Sequence, residues 1–260
     1  MRAVFVEYDP YNRMGNRMFQ YAFGYIISKR FKCPLYTKEG IPNFGIEPNL
    51  PPNLAAIERI HTRDMGDQFF DFNLLKGFAG DLFINSWVQK SEYYLDYRED
   101  LREVFNIKSQ PPINERELCM HIRSGDYNML GVFLGYAYYK QLINDSPYKF
   151  SDVKIVTDSP RSDAVLKLIN DGCKLVTDGN SSQFSHHSDS RAMSDFETLL
   201  YSSNIVLSQS SFSWWAAFLG NHKQVIFPFK RNIDWWPMSP NQDDIDLYFD
   251  FNNTSNKYIV

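Results

Sequence analysis

The chain has 260 residues, 43% of them hydrophobic and 16% aromatic, enough for one large domain or two small ones. A formal charge of −4 without any basic block excludes the phosphate-neutralising surface that nucleic-acid binding needs. Cys33, Cys119 and Cys173 are far apart and odd in number, which supports neither a disulfide framework nor a zinc ribbon.

The opening MRAVFVEYDP reaches Glu7 and Asp9 before any long apolar run, so no signal peptide is expected. No stretch has the ~20 apolar residues that span a bilayer, and a cytoplasmic setting is the expectation. Arg2 to Val6 is a β-prone run. A polar, glycine-bearing loop follows, then a helix from Arg17 to Phe31, with Met18, Tyr21, Ala22, Tyr25 and Ile26 at helical spacing and Pro34 beyond its end. Residues 40–80 are rich in Pro and Asn and predict irregular connections. Leu82 to Ile84 is β-prone, and residues 92–105 read as one amphipathic helix. Residues 108–117, with paired prolines, read as a linker.

Past that linker a regular β-α rhythm sets in. Strands are predicted at Leu118–Ile122, Val153–Thr157, Lys174–Thr177, Asn204–Ser208 and Gln224–Phe227. Helices are predicted at 136–144, Arg161–Asn170, Ser194–Tyr201 and Phe212–Leu219. Ser194 with Glu197 reads as a capping box, and Gly220 as a helix stop. The rhythm predicts parallel, doubly wound α/β halves. The expected division is 1–110, 111–245 and a C-terminal tail, 246–260.

In such sheets ligands bind beyond the carboxyl ends of the strands. Those ends carry Gly15 and Asn16, then His121, Arg123 and Asp126, then Asp158, then Ser208 to Ser211. A helix start offers N–H groups and a positive dipole end, and arginine a permanent bidentate cation, so together they suit a diphosphate. Asp158 and Asp195 suit a ribose or the N–H edge of a base. Each residue also has a plain structural use: Arg123 and Asp126 as an ion pair, Asp158 and Ser210 or Ser211 as caps, Asp195 in a first turn, Gly15 in a tight turn. No metal site is expected. The Asp-x-Asp at Asp244 and Asp246 reads as a solvated turn, and His186, His187 and Asp189 as a polar loop.

Four ordered stretches, MGNRMFQYAFGY, WVQKSEYY, HIRSGDY and DFETLLYSSNIVLSQSSFSWWAAFLG, resemble the signatures of the α-1,2-fucosyltransferases, glycosyltransferase family 11. That resemblance implies a GT-B fold of two Rossmann-like halves facing a central cleft. It implies inverting, metal-independent transfer of L-fucose from GDP-fucose to O2 of a terminal β-galactoside, without a cofactor. Arg123 would hold the β-phosphate, with His121 and Asp195 against the guanosine and Asp158 near base or ribose. Ser210, Ser211 and Phe212 would line the diphosphate, and Gly15 and Asn16 would close the site. Asp126 is the candidate base by position. Ser124 stands where the family has a second arginine, and Arg13 or Arg17 could replace its charge. The alternatives are a related enzyme with another nucleotide-deoxysugar donor, or an inactive glycan-binding relative.

Overall fold

The computed structural model describes residues 1–8, 12–51, 59–62, 72–109, 114–125, 133–145, 149–176, 190–229, 247–249 and 255–259. The first four strands are β1 (Ala3–Val6), β2 (Leu35–Thr37), β3 (Arg59–His61) and β4 (Asp81–Ile84). They form a parallel sheet in the order β2-β1-β4-β3. Alternation puts Val4, Val6, Leu82 and Ile84 on one face, in the main core. Helix α1 (Met14–Phe31) covers that face. Gly24 lets the helix lie close, since a Cβ there would come within 2.8 Å of Val6.

The amphipathic stretch 92–105 is not one helix. Ser91–Tyr93 and Leu95–Tyr97 are 3-10 turns, and only Arg98–Val104 is α-helical (α2). Consecutive tyrosines explain the difference. Tyr93 packs on Phe23, while Tyr94 packs on Phe19 and donates its hydroxyl to the Val88 carbonyl at 2.6 Å. Both rings enter the core, which an α-helix would oppose by turning successive side chains ~100° apart.

The second part holds β5 (Glu117–Ile122), α3 (Tyr136–Asp145), β6 (Asp152–Thr157), α4 (Asp163–Asn170), β7 (Lys174–Leu175), α5 (Ser190–Leu200), β8 (Asn204–Val206), α6 (Ser211–Leu219), β9 (Gln224–Phe229) and β10 (Ser255–Ile259). Its sheet is parallel, in the order β10-β9-β8-β5-β6-β7. Counted from β5, that is the dinucleotide-fold order, which reverses between β5 and β8. Helix α5 starts four residues before the expected cap. Ser194 is therefore inside it, and its carbonyl accepts the Thr198 hydroxyl at 2.9 Å. Strand β9 runs through Pro228, beyond the Gln224–Ile226 stretch that pairs with β8. Residues read from the sequence as a tail supply β10.

One continuous core joins the two sheets. Phe19 of α1 lies 4.8 Å from the Trp214 ring and 4.9 Å from the Trp215 ring of α6. Tyr94 and Phe105 close around the same tryptophans. At the far end of α6, Arg98 and Arg102 of α2 donate to the carbonyls of Phe218, Leu219 and Gly220. His222 sits against those of Ser202 and Ala216, at 2.7 and 3.2 Å. The two arginines satisfy carbonyls that a helix end leaves open and place cations at its negative pole. Gly220 is extended, with φ −75°, so it ends α6 by close packing rather than by a left-handed turn. Relative motion of two halves is the default only where their interface is small or polar, and this one is neither.

At the near end, α1 and α6 touch through Gly15. A Cβ there would come within 2.6 Å of the Phe212 backbone nitrogen and the Ser211 hydroxyl. Overpacking of this kind costs about 1–3 kcal/mol. Gly15→Ala should therefore lower the unfolding free energy by that amount and shift the urea midpoint down accordingly; an unchanged midpoint would show that the two helices can separate freely.

Candidate active site

The carboxyl edges of the two sheets converge where the first turn of α1 meets the first turn of α6. Asn16 is the joint. Its side-chain oxygen accepts the Ser211 hydroxyl at 2.8 Å and the Gln89 amide at 3.0 Å. Ser210 caps α6 in extended conformation, its hydroxyl accepting from the Phe212 N–H at 3.3 Å. Ser213 turns back to the carbonyls of Ser208 and Ser210. Both serines expected to line a diphosphate thus have structural uses for their hydroxyls. With the Phe212 N–H taken by that cap, the α6 start still offers its dipole and the N–H groups of Ser211 and Ser213.

Two positive helix ends meet here, and neither first turn contains an acidic residue. Arg13 precedes α1 without capping it through its side chain. Like dipole ends placed together are unfavourable until an anion lies between them.

β5 and β8 bring His121 to the same place, at the point where strand order reverses. Its Nδ1 lies 2.7 Å from the Ser208 hydroxyl, and its ring 5.6 Å from that of Phe212. Its own carbonyl accepts the Tyr139 hydroxyl at 3.1 Å. Burial pushes the His121 pKa down to about 3, against the attraction of Asp158 and with the help of Arg123. The imidazole is therefore neutral near pH 7. Asp195 lies on α5 beside Phe196, whose ring contacts Phe212 at 5.5 Å.

Arg123 pairs with Asp158, Nη1 to Oδ2, at 2.9 Å, and both are mostly buried. The other carboxylate oxygen of Asp158 accepts from the Ser124 N–H at 3.1 Å and the Gly125 N–H at 3.5 Å. Asp158 thus holds both the guanidinium and the backbone that carries it. A Cβ on Gly125 would approach Asp158 to 2.9 Å, so the glycine makes room for the carboxylate. Arg123 thus has Asp158 as an ion-pair partner; Asp126, the partner expected from the sequence, lies outside the described residues, as do Asp244, Asp246 and the His186–Asp189 loop. Among the described residues no cluster of His, Cys, Asp and Glu could hold a metal ion.

Ser124 is fully buried and its hydroxyl has no hydrogen-bond partner, so an arginine would not fit there without rearrangement. Arg17 does not supply the missing charge. It pairs with Glu39 at 3.0 Å, donates to the Asn12 carbonyl at 3.1 Å and covers the Tyr8 ring at 4.8 Å. Gln89 was not singled out from sequence, although it lies in one of the signature-like stretches. A second set of polar residues also escaped notice. Gln20, one turn along α1 from Asn16, accepts from Asn12 at 3.0 Å and donates to the Ser86 carbonyl at 3.2 Å. Only long-range pairing reveals these.

No curated protein sequence matches the chain. Among solved structures, the α-1,6-fucosyltransferase NodZ soaked with GDP-fucose superposes with TM-score 0.50 at 10% identity, over 86% of this chain and 94% of that one. The fucosyltransferase NodZ from Bradyrhizobium, in selenomethionine form, gives TM-score 0.49 at 10% identity, over 86% of this chain and 94% of that one. The E. coli heptosyltransferase WaaC with ADP gives TM-score 0.46 at 12% identity, over 100% of this chain and 93% of that one. The two parallel-sheet halves with converging carboxyl edges are the GT-B arrangement. No helix among the described residues is long and apolar enough to cross a membrane. The model of glycosyl transferase family 11 matches residues 53–237, more than half of the sequence, and the chain belongs to that family.

Proposed function

We propose that the protein transfers L-fucose from GDP-fucose to O2 of a terminal β-galactoside, with inversion and without a metal. The observation that carries this reading is the meeting of two acid-free helix N-termini beside His121 and Arg123, at the reversal point of a dinucleotide-type sheet. A nucleoside diphosphate is the anion that such a place suits. The sugar and the linkage rest on the four signature-like stretches.

In this reading the acceptor hydroxyl attacks C1 of fucose from the face opposite the diphosphate. The C1–O bond breaks and its electron pair leaves with GDP. Arg123, oriented by Asp158, and the α6 N–H groups meet the charge that grows on the leaving oxygen. Neutral His121 stands against the nucleoside side, its ring fixed by Ser208 and Phe212. Asp126 takes the hydroxyl proton. Asp195 is assigned to the guanosine. Gly15 and Asn16 close the site from the first half, which would carry the acceptor.

Three outcomes follow from this assignment. With GDP-fucose and a panel of β-galactosides, product analysis by NMR should show a new α-linkage at O2, and EDTA should leave the rate unchanged; no product with any galactoside would refute the reading. Arg123→Ala should reduce turnover by about 10²–10³-fold, as removal of a transition-state hydrogen-bond donor does. Arg123→Lys should recover little of this, since an ammonium lacks the planar fork.

The third outcome concerns pH. His121 and His222 are both held neutral by burial, so the unfolded chain binds protons that the folded chain does not. Stability is then complete above the ordinary histidine value of 6.5 and falls as the pH drops toward about 3. Urea midpoints for His121→Asn should depend less steeply on pH across that window. An unchanged slope would place His121 in water rather than in the buried site.

A further inference from the structure

Strand β2 ends at Thr37, and the chain leaves it in a closed loop, residues 38–47. Ile41 and Ile46 pair across the loop, each N–H donating to the other's carbonyl, at 2.8 and 3.3 Å. Between them Pro42–Phe44 form one 3-10 turn, and Gly45, with φ +68°, is the left-handed residue that turns the chain back. The base of the loop is anchored twice. The Thr37 N–H donates to Asn49 Oδ1 at 2.7 Å, and Glu39 pairs with Arg17 in the first turn of α1. Ile41, Phe44 and Ile46 are all buried, so the loop is driven inward as a wedge.

The tip of the wedge crosses from the first half to the second. The Phe44 ring lies 5.1 Å from that of Phe105 and 5.6 Å from that of Phe196 on α5, edge-on to both. The contacts then continue toward the cleft. Phe196 meets Phe212 edge-on at 5.5 Å, and Phe212 lies 5.6 Å from His121 at an interplanar angle of 33°. Phe44 is thus the first-half end of a row of four rings that finishes at the imidazole beside the α6 start. Phe44 and Phe196 are buried, whereas Phe212 is only half-buried. The outer torsion of a phenylalanine is broad, so a half-buried ring takes its orientation from the rings packed against it.

We infer that Phe44 is a positioning residue for the nucleoside end of the donor site, acting through Phe196 and Phe212. Its edge keeps Phe196 against Phe212, and Phe212 in turn sets the wall that it forms with His121. The ligand class is a purine nucleoside, whose flat ring gains from a wall already in place, because less order has to be imposed on binding. The inference rests on the donor reading for the identity of that nucleoside as guanosine. It gives the first half a part in nucleoside recognition beyond Gly15 and Asn16. The diphosphate end has supports of its own, Asp158 behind Arg123 and the backbone that opens α6. A cavity in place of the Phe44 ring would let Phe196 tip away from Phe212, and it should loosen the nucleoside end alone.

The test is isothermal titration of the full chain with GDP and, separately, with inorganic pyrophosphate. Phe44→Ala should weaken GDP binding about tenfold, the worth of one aromatic edge contact, and leave pyrophosphate affinity unchanged. Phe44→Leu refills most of the volume without the ring edge, so its loss for GDP should be smaller, about threefold, again with pyrophosphate unchanged. If the alanine chain does not fold, the leucine chain decides by the same ratio. GDP affinity unaltered in the folded variants would overturn the role of Phe44. So would an equal loss for GDP and pyrophosphate, which would mark a general loosening of the cleft. A wild-type chain that binds pyrophosphate but not GDP would refute the donor reading, and the role of Phe44 with it; GDP binding that ignores Phe44 refutes the role alone.

Discussion

The first turn of α1 lies against the first turn of α6 so closely that position 15 has no room for a methyl group. Each part of the cleft depends on that contact. It fixes Asn16 where its oxygen can accept from Ser211 on one side and Gln89 on the other. It also sets two positive helix ends side by side without an acidic neighbour in either first turn. The resulting deficit of negative charge is built into the backbone and cannot relax by a side-chain rotation. An anionic ligand relieves it.

Holding two like dipole ends together needs an opposing force, and the aromatic core supplies it. Phe19, Tyr94 and Phe105 from the first half enclose Trp214 and Trp215 of α6. Truncating one buried aromatic of this kind typically costs about 3–5 kcal/mol, well above the ~0.3–1 kcal/mol of a helix-dipole interaction. The arginines of α2 act in the same direction from the other end of α6, where they neutralise its negative pole. The helix is therefore gripped at both termini by the first half, although it belongs to the second. On the β5 side, Asp158 does similar work for Arg123, fixing the guanidinium and its backbone with one carboxylate.

Much of this was legible in the residue pattern, and the reasons differ by element. The β-α rhythm after residue 117 could be read because each strand is a short apolar run and each helix has an apolar stripe. His121 and Arg123 stood out because polar residues interrupt a strand end, and Ser210 because it precedes an apolar helix. Other features depend on partners distant in sequence. Asp158 offered cap and ribose or base readings, and only the fold sets it beside Arg123. Arg17 looked available for phosphate until Glu39 and Tyr8 were seen to occupy it. The helix expected over 92–105 followed a sound periodicity that two buried tyrosines override. The Ser194 cap had the right spacing, but α5 begins further upstream. Phe44 lay in plain view, yet its contact with Phe196 is not written in a sequence.

The central claim is that the backbone N–H groups opening α6 receive the diphosphate. Amide NMR of the 15N-labelled chain during titration with GDP tests it directly. The account predicts that the amides of Ser211 and Ser213 shift with the titration and become protected from exchange with water. Saturable GDP binding that leaves those two amides unmoved would contradict it.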